Sequence, residues 1–503
     1  MAYFLTGVRS FAGSASRLRA LRYTEPPKYR TPARLSAFFL DRNAMSATST
    51  SLASMELLAP AGGWEQLEYA IHFGADAVYL ASTRYGMRRR ADNFSEDELP
   101  RVVEYAHAHG VDVHVTVNIM MTDEDIDDLH RYFAVLQDAG VDAVIVGDMG
   151  ALAVAREAAP DVAIHLSTQA SCMNAASARV YASLGVSRIV LAREMSLKAI
   201  AEMRRRLPEE IELEAFVHGA MCMAYSGRCL ISDYMAGRGA NVGHCAQPCR
   251  WKYALVEEKR PGQYFPIEQD ERGSFIMSSN DMNMLSHLQD LADAGVNSIK
   301  VEGRAKGAYY VASVVNAYRH VLDGGSAEAW QDELETTSHR PYCTGFYYGD
   351  PGRNQGTVEY ARSHQMVARV LGCAPDGLGE AAAFHADAAC DAQGDPERVE
   401  VLCRNRFFEG EELEVISPDA AVRTCPVKRL VWHAGPDADL KDIERDGLGR
   451  IIGPDPSCEG GTLVAVEVAN RTMERYSFAV PFELHGRDIM RIRREGQDVG
   501  RVL

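Results

Sequence analysis

The 503-residue chain has no run of about 18 uncharged apolar residues, so no stretch reads as a membrane-spanning helix. Positive charge is in deficit. Lys and Arg number 53 against 70 Asp and Glu, a net charge of −17. There is thus no global basic footprint for nucleic acid, and an RNA ligand would need a local basic patch on an acidic body. Several catalytic signatures are missing as well. Without H-E-x-x-H there is no zincin site, without G-x-S-x-G no nucleophile elbow, and without a Walker A loop no P-loop phosphate cradle. No G-x-G-x-x-G follows a strand-like run, and Gly237-Arg238-Gly239 with Gly243 is not that fingerprint. The C-x2-C knuckle common in structural zinc sites occurs nowhere, and low-complexity tracts and internal repeats are absent.

Cysteine is sparse but unevenly placed. An odd total of 11 in so long a chain is no secreted disulfide framework, and points to a reducing, cytoplasmic setting with metal-bound and free thiols. Four of them, Cys222, Cys229, Cys245 and Cys249, fall between His218 and Arg250 in the pattern C-x6-C-x15-C-x3-C. Gly227, Gly237, Gly239 and Gly243 between them allow the tight backbone paths that bring distant thiolates together. Arg228, Arg238, His244 and Arg250 supply positive charge, which lowers thiol pKa and offsets a thiolate-ligated metal. One buried cysteine is ordinarily a structural thiol. Four in this arrangement point to a metal centre. Uneven spacing and soft ligands suit an iron–sulfur cluster, with zinc the second choice.

From Glu56 onward, short apolar runs alternate with amphipathic helical patterns. The runs are Glu56–Ala61, Ala77–Ala81, Val111–Val117, Ala143–Val146, Ala163–Leu166, Arg188–Leu191, Ile211–Val217 and Ser298–Glu302. Gly74, Gly140, Gly185 and Gly295 each stand between a helix pattern and the next run, as helix C-caps do in αβ loops. Eight runs, each but the seventh followed by a helix, predict an α/β fold of the (β/α)8 TIM-type barrel class, with a doubly wound sheet as the alternative. Chemistry in such barrels gathers at the C-terminal strand ends. Those ends hold Pro60, Gly62, Asn118, Asp148, Ser167 with Gln169, Arg193 with Glu194, His218, and Glu302 with Arg304. Arg88-Arg89-Arg90 past the second run is a phosphate or carboxylate patch, or else a solvated loop.

Three segments are expected. Residues 1–54, rich in Arg, Ser and Ala, form a disordered extension, either a transit segment or the product of a start upstream of Met45 or Met55. Residues 55–330 form the barrel, with a Cys-rich insertion at about 218–275, and residues 331–503 a linker and a small β-barrel domain. In the last, Met366–Leu371, Val399–Cys403, Glu412–Ser417 and Val427–Trp432 read as strands, and the run Asn405–Glu411 as a turn.

LLAPAGGWEQLEYAIHFGADAVYL, then EAFVHGAMCMAYSGRCLISDYMAGRGANVGHCAQPCRWKY, then SIKVEGRAKGAYYV together resemble the collagenase-like peptidases of unassigned catalytic type, the U-32 family. Within it the chain looks most like the tRNA hydroxylation protein P subfamily. The resemblance runs from about Met55 to the C-terminus, and implies a (β/α)8 catalytic domain and a 4Fe-4S cluster. It also implies 5-hydroxylation of a wobble uridine in tRNA, with prephenate and not O2 as the hydroxyl source. Some relatives take a cluster ligand from a K-D-L-C motif. Here the segment reads Asn280-Asp281-Met282-Asn283, so Cys249 stands in as the fourth ligand beside Cys222, Cys229 and Cys245. From position and residue type, His218, Glu194 and Glu302 are candidates for proton transfer. Arg193 and Arg304 suit a dicarboxylate such as prephenate, with Gln169 and Asn118 as further substrate contacts. An electron-donor protein is an expected partner, and a membrane is not. Two other readings stay open: a peptidase with zinc or no metal, and a non-catalytic RNA-binding or assembly module.

Overall fold

Aliphatic and β-branched side chains fill the eight runs, which are buried on both faces as a parallel sheet under helices requires. In the computed structural model they are β1 (Glu56–Pro60), β2 (Ala77–Leu80), β3 (Asp112–Val117), β4 (Ala143–Val146), β5 (Ala163–Leu166), β6 (Arg188–Val190), β7 (Glu212–Ala220) and β8 (Ser298–Val301). Each pairs in parallel with the next, and β8 pairs with both β7 and β1. The sheet is a closed eight-stranded barrel, as expected. The described residues are 51–88, 91–222, 224–251, 254–256, 264–266, 279–349, 361–371, 398–418, 420–436, 438, 451–455, 461–482 and 484–494. The expected N-terminal extension lies almost wholly outside them. Among them no helix is long and apolar enough to cross a membrane.

Local signals account for the helices. α3 (Asp123–Asp138) starts in a capping box between Thr122 and Asp125, and buries Leu129, Tyr132, Phe133 and Leu136. α5 (Ala175–Ser183) and α6 (Leu197–Arg204) start on the side-chain caps of Asn174 and Ser196. Gly74, Gly140, Gly185 and Gly295 take φ of 93°, 76°, 96° and 85°, the left-handed turn that a side chain resists.

Two departures from the expected rhythm shape the site. After β2 the chain runs through the segment 81–98 before α2 (Leu99–Ala108), so no helix follows that strand directly. β7 continues past Val217 to Ala220, because the strand Asp281–Asn283 pairs antiparallel with its end, matching Asn283 to His218. His218 is therefore inside a strand and not at a strand end.

The barrel interior holds buried charge. Arg188 forks onto Glu56 at 2.6 and 2.8 Å and reaches Glu212 at 2.7 Å, while Lys300 meets Glu214 at 2.8 Å. His114 and His165 lie edge to face at 4.8 Å, and burial pushes both below the usual imidazole range. Burial also pushes His218 down to about 3. These rings stay neutral when folded but take protons in the unfolded chain below its imidazole pKa of about 6.5. Their contribution is therefore fully present above about pH 6.5 and lost as pH falls toward the folded values. Thermal melts should accordingly be level above pH 7 and drop steadily from pH 6.5 to 4. Equal melting temperatures at pH 7.5 and pH 5 would contradict neutral buried imidazoles.

The C-terminal strands form a nine-stranded antiparallel sheet around Phe407, Trp432, Tyr476 and Phe478. The expected strands are present as His364–Val370, Arg398–Cys403, Glu412–Ser417 and Lys428–Ala434. The expected turn at Asn405–Glu411 contains a two-residue strand, Phe407–Phe408, paired with Val468–Ala469, because Phe407 belongs to the core. Arg404 pairs with Glu65 at 2.5 Å, Arg369 with Glu68 at 2.8 Å, and buried Arg491 with Glu333 at 2.6 Å. With Met366, Ile416 and Ile489 packed into the barrel core, these pairs fix the domain to the barrel's helices.

Candidate active site at the barrel mouth

Side chains from the strand ends enclose a cavity of about 70 Å³. Glu302, next after β8, is its charge centre. Arg88 Nη2 lies 3.1 Å from Glu302 Oε1, Arg193 Nη2 lies 3.8 Å from Oε2, and Tyr79 Oη lies 3.5 Å from the same oxygen. Burial pushes the Glu302 carboxyl up, but the guanidinium groups of Arg88, Arg193 and Arg304 outweigh it and hold the group at about 2. Glu302 is thus an anion near neutral pH, so it cannot donate a proton there, and its part in any proton transfer would be as acceptor.

Each cation has its own anchor. Arg193 donates to the Ala220 carbonyl at 3.0 Å and lies 3.8 Å above the Phe216 ring. Arg304 donates to Asn93 at 3.2 Å, and burial with the neighbouring Arg88 draws it down to about 10. Lys300 lines the wall 4.3 Å from the Tyr79 ring. Arg88 has φ of 69°, a strained left-handed value for a non-glycine residue, and hangs on the loop after β2. With Lys300 paired to Glu214 behind the wall, three arginines face the one carboxylate Glu302 in the cavity, which leaves a seat for an anion. Asn118 and Gln169 share the lining. Asn118 Oδ1 accepts from Met87 N at 3.1 Å, and Asn118 Nδ2 donates to Ser167 at 3.4 Å.

His218 and Glu194 are not on this wall. His218 is packed among the rings of Tyr310, Tyr318 and Tyr342, with Tyr318 Oη 3.4 Å from Nδ1, so a neutral imidazole shielded from the cavity replaces the expected proton carrier. Glu194 accepts from Ser226 N at 2.6 Å and from Ser226 Oγ at 2.8 Å. Its carboxylate anchors the cysteine segment. Asp148, at the end of β4, caps α4 (Met149–Ala158) through Gly150 N at 2.7 Å.

The cysteine segment is stitched to the same rim. Ser226 and Gly227 both have positive φ, 45° and 80°, and the second is a left-handed value that favours glycine where the turn passes the Gln169 side chain. Arg228 Nε donates to the Gln169 carbonyl at 2.9 Å. Asn241 accepts from Met120 N through its carbonyl, and from Cys229 N at 3.0 Å through Oδ1. The Arg88 guanidinium is kept charged by Glu302 foremost, against burial.

The donors of this loop are of the soft type a thiolate-held cluster takes, though their sulfurs are not gathered in this structure. Cys229 Sγ accepts from Ile231 N and Cys245 Sγ from Gln247 N, both at 3.3 Å, the kind of N–H···S bond that tunes iron–sulfur centres. The described cysteines form no disulfide. Among the described residues no three His, Cys, Asp or Glu side chains stand at metal-holding distance, so the four sulfurs would have to draw together on loading.

Arg88 counted in the sequence only as part of a basic triplet, and Arg89 and Arg90 lie outside the described residues. Lys300, Tyr79 and Phe216 were not singled out. A lysine inside the apolar run Ser298–Val301 is the one signal that could have flagged the first.

Residues 62–357 match peptidase family U32. The chain is 37% identical over 395 residues to tRNA hydroxylation protein P1 of Bacillus subtilis (strain 168), covering 76% of this chain and 88% of that protein. It is 33% identical over 411 residues to tRNA hydroxylation protein P of Escherichia coli (strain K12), covering 73% and 87%. A third relative from that strain, 23S rRNA 5-hydroxycytidine C2501 synthase, is 37% identical over 269 residues, covering 54% of this chain and 39% of the other. A family match over more than half its length, and likeness to two relatives over about three quarters of it, make this chain a member of peptidase family U32.

Proposed function

We propose that this chain is an RNA hydroxylase that converts a wobble uridine of tRNA to 5-hydroxyuridine without O2. Cys222, Cys229, Cys245 and Cys249 hold a 4Fe-4S cluster, and prephenate or a similar carboxylate supplies the hydroxyl group. The observation that carries this reading is the cationic cavity whose rim residue Gln169 holds the four-cysteine loop through Arg228, in a chain similar over most of its length to two proteins named for tRNA hydroxylation.

Exchange of the base C5–H for the hydroxyl of the carboxylate co-substrate breaks the C5–H bond and the donor's C–O bond and forms C5–OH and a donor C–H, so the two electrons the base loses reduce the donor carbon, and a bound cluster would supply a route for them. The chain's own residues do the rest. Arg88, Arg193 and Arg304 bind and orient the carboxylate groups in forked hydrogen bonds, and Glu302 keeps the three guanidinium groups from repelling one another. Lys300, paired with Glu214, braces the wall beside the Tyr79 ring. Asn118 and Gln169 offer amide donors and acceptors of the kind that read a uracil edge. Mass spectrometry of tRNA nucleosides from a deletion strain tests the reading. Loss of 5-oxyuridine derivatives, restored by the gene, is expected. Unchanged levels in a strain with no redundant pathway would reject it.

A further inference from the structure

The cysteine loop carries an exposed apolar face that the proposed chemistry leaves unused. On α7 (Ile231–Ala236), Tyr234 follows Leu230 by one turn, so the two project from the same side, 89% and 74% exposed. Ser232, on the opposite side, is fully buried and accepts from Ala246 N at 2.8 Å. Trp251, 45% exposed, ends the short turn Pro248–Arg250 that packs against α7. Tyr225, 51% exposed, stands on the turn that Glu194 and Gln169 hold to the cavity rim. Folding gains nothing from large rings left in water, so exposed rings on α7, on the turn packed against it and on the turn at the cavity rim mark a contact surface along this loop.

Charge decides which contact. In residues 222–251 three arginines, Arg228, Arg238 and Arg250, oppose one acid, Asp233, on a chain of net charge −17. A locally cationic rim on an acidic body selects a polyanion, and aromatic faces beside arginines are what unstacked bases and their phosphates require.

We propose that Tyr225, Tyr234 and Trp251, with Arg228 and Arg238, form a stacking platform for the single-stranded bases that flank the reacting nucleotide of an RNA loop. The inference rests on the RNA reading above and adds to it the surface that grips the substrate. Stacking tolerates any base, so the platform contributes affinity and placement, and the cavity contributes the choice of base.

The test uses the full chain, reconstituted anaerobically, and an unmodified anticodon stem-loop RNA followed by fluorescence anisotropy. Tyr234→Ala and Trp251→Ala should each raise Kd on the order of tenfold, while Tyr234→Phe and Trp251→Phe stay within about twofold. All four should keep the wild-type iron content. Tryptophan emission should fall when RNA binds the wild type, and Trp251→Phe should remove that change. If the wild type binds the RNA and both alanine variants bind it equally well, the platform is wrong and the RNA reading survives. If the wild type does not bind RNA and the deletion strain's nucleosides are unchanged, both fall. Alanine variants that keep RNA affinity but lose reduction by a redox protein would make the occupant a protein and overturn the proposal.

Discussion

Alanine at Cys222, Cys229, Cys245 or Cys249 is expected to strip the protein of its iron and to abolish hydroxylation. A four-thiolate cluster that loses one ligand is left with an open, solvent-reached iron, and even outer-shell changes at metal sites cost about 10- to 100-fold. Activity should therefore fall by more than about 100-fold, together with the broad thiolate–iron absorption near 400 nm. Cys172, Cys403 and Cys425 are the controls. They are buried, and burial pushes their thiols up, so they are inert packing groups. Alanine there should leave iron per chain unchanged. Full iron in Cys245→Ala, or equal loss in Cys403→Ala, would remove the cluster from this loop.

Glu302→Gln is expected to destabilise the barrel by about 3–5 kcal/mol, the range found when one partner of a buried ion pair is removed. The carboxylate is 15% exposed and faces three guanidinium groups, which the amide would leave to repel one another. Urea unfolding at pH 7 measures the loss. Because burial is outweighed and the group sits at about 2, the contribution is whole above the unfolded carboxyl value near 4.5 and disappears only as pH falls toward 2. A small dicarboxylate should restore part of the stability, since an anion in the cavity takes over the missing charge. A variant as stable as the wild type and indifferent to dicarboxylates would show that Glu302 does not organise the mouth.

The barrel was readable because its strands and helices carry local signals. The eight apolar runs, the glycines at 74, 140, 185 and 295 and the caps at Thr122, Asn174 and Ser196 act over a few residues each. The candidate site was readable only as a set of strand ends. His218 looked catalytic because it followed an apolar run, but a neighbouring strand 60 residues on extends β7 around it. Glu194 looked like an acid or base because it ends a strand, but its oxygens face Ser226.

Chain order and side-chain type alone determined a closed parallel barrel, a β-rich C-terminal domain and four cysteines gathered on one loop. Those features follow from periodicity and spacing, which are properties of neighbours along the chain. Only the tertiary structure decided the state of the charges. Whether Glu302 holds a proton depends on Arg88, Arg193 and Arg304, more than 100 residues away in two cases and brought near by barrel closure. Electrostatic energy depends on distance through space and on burial, and neither quantity is written in the order of the residues.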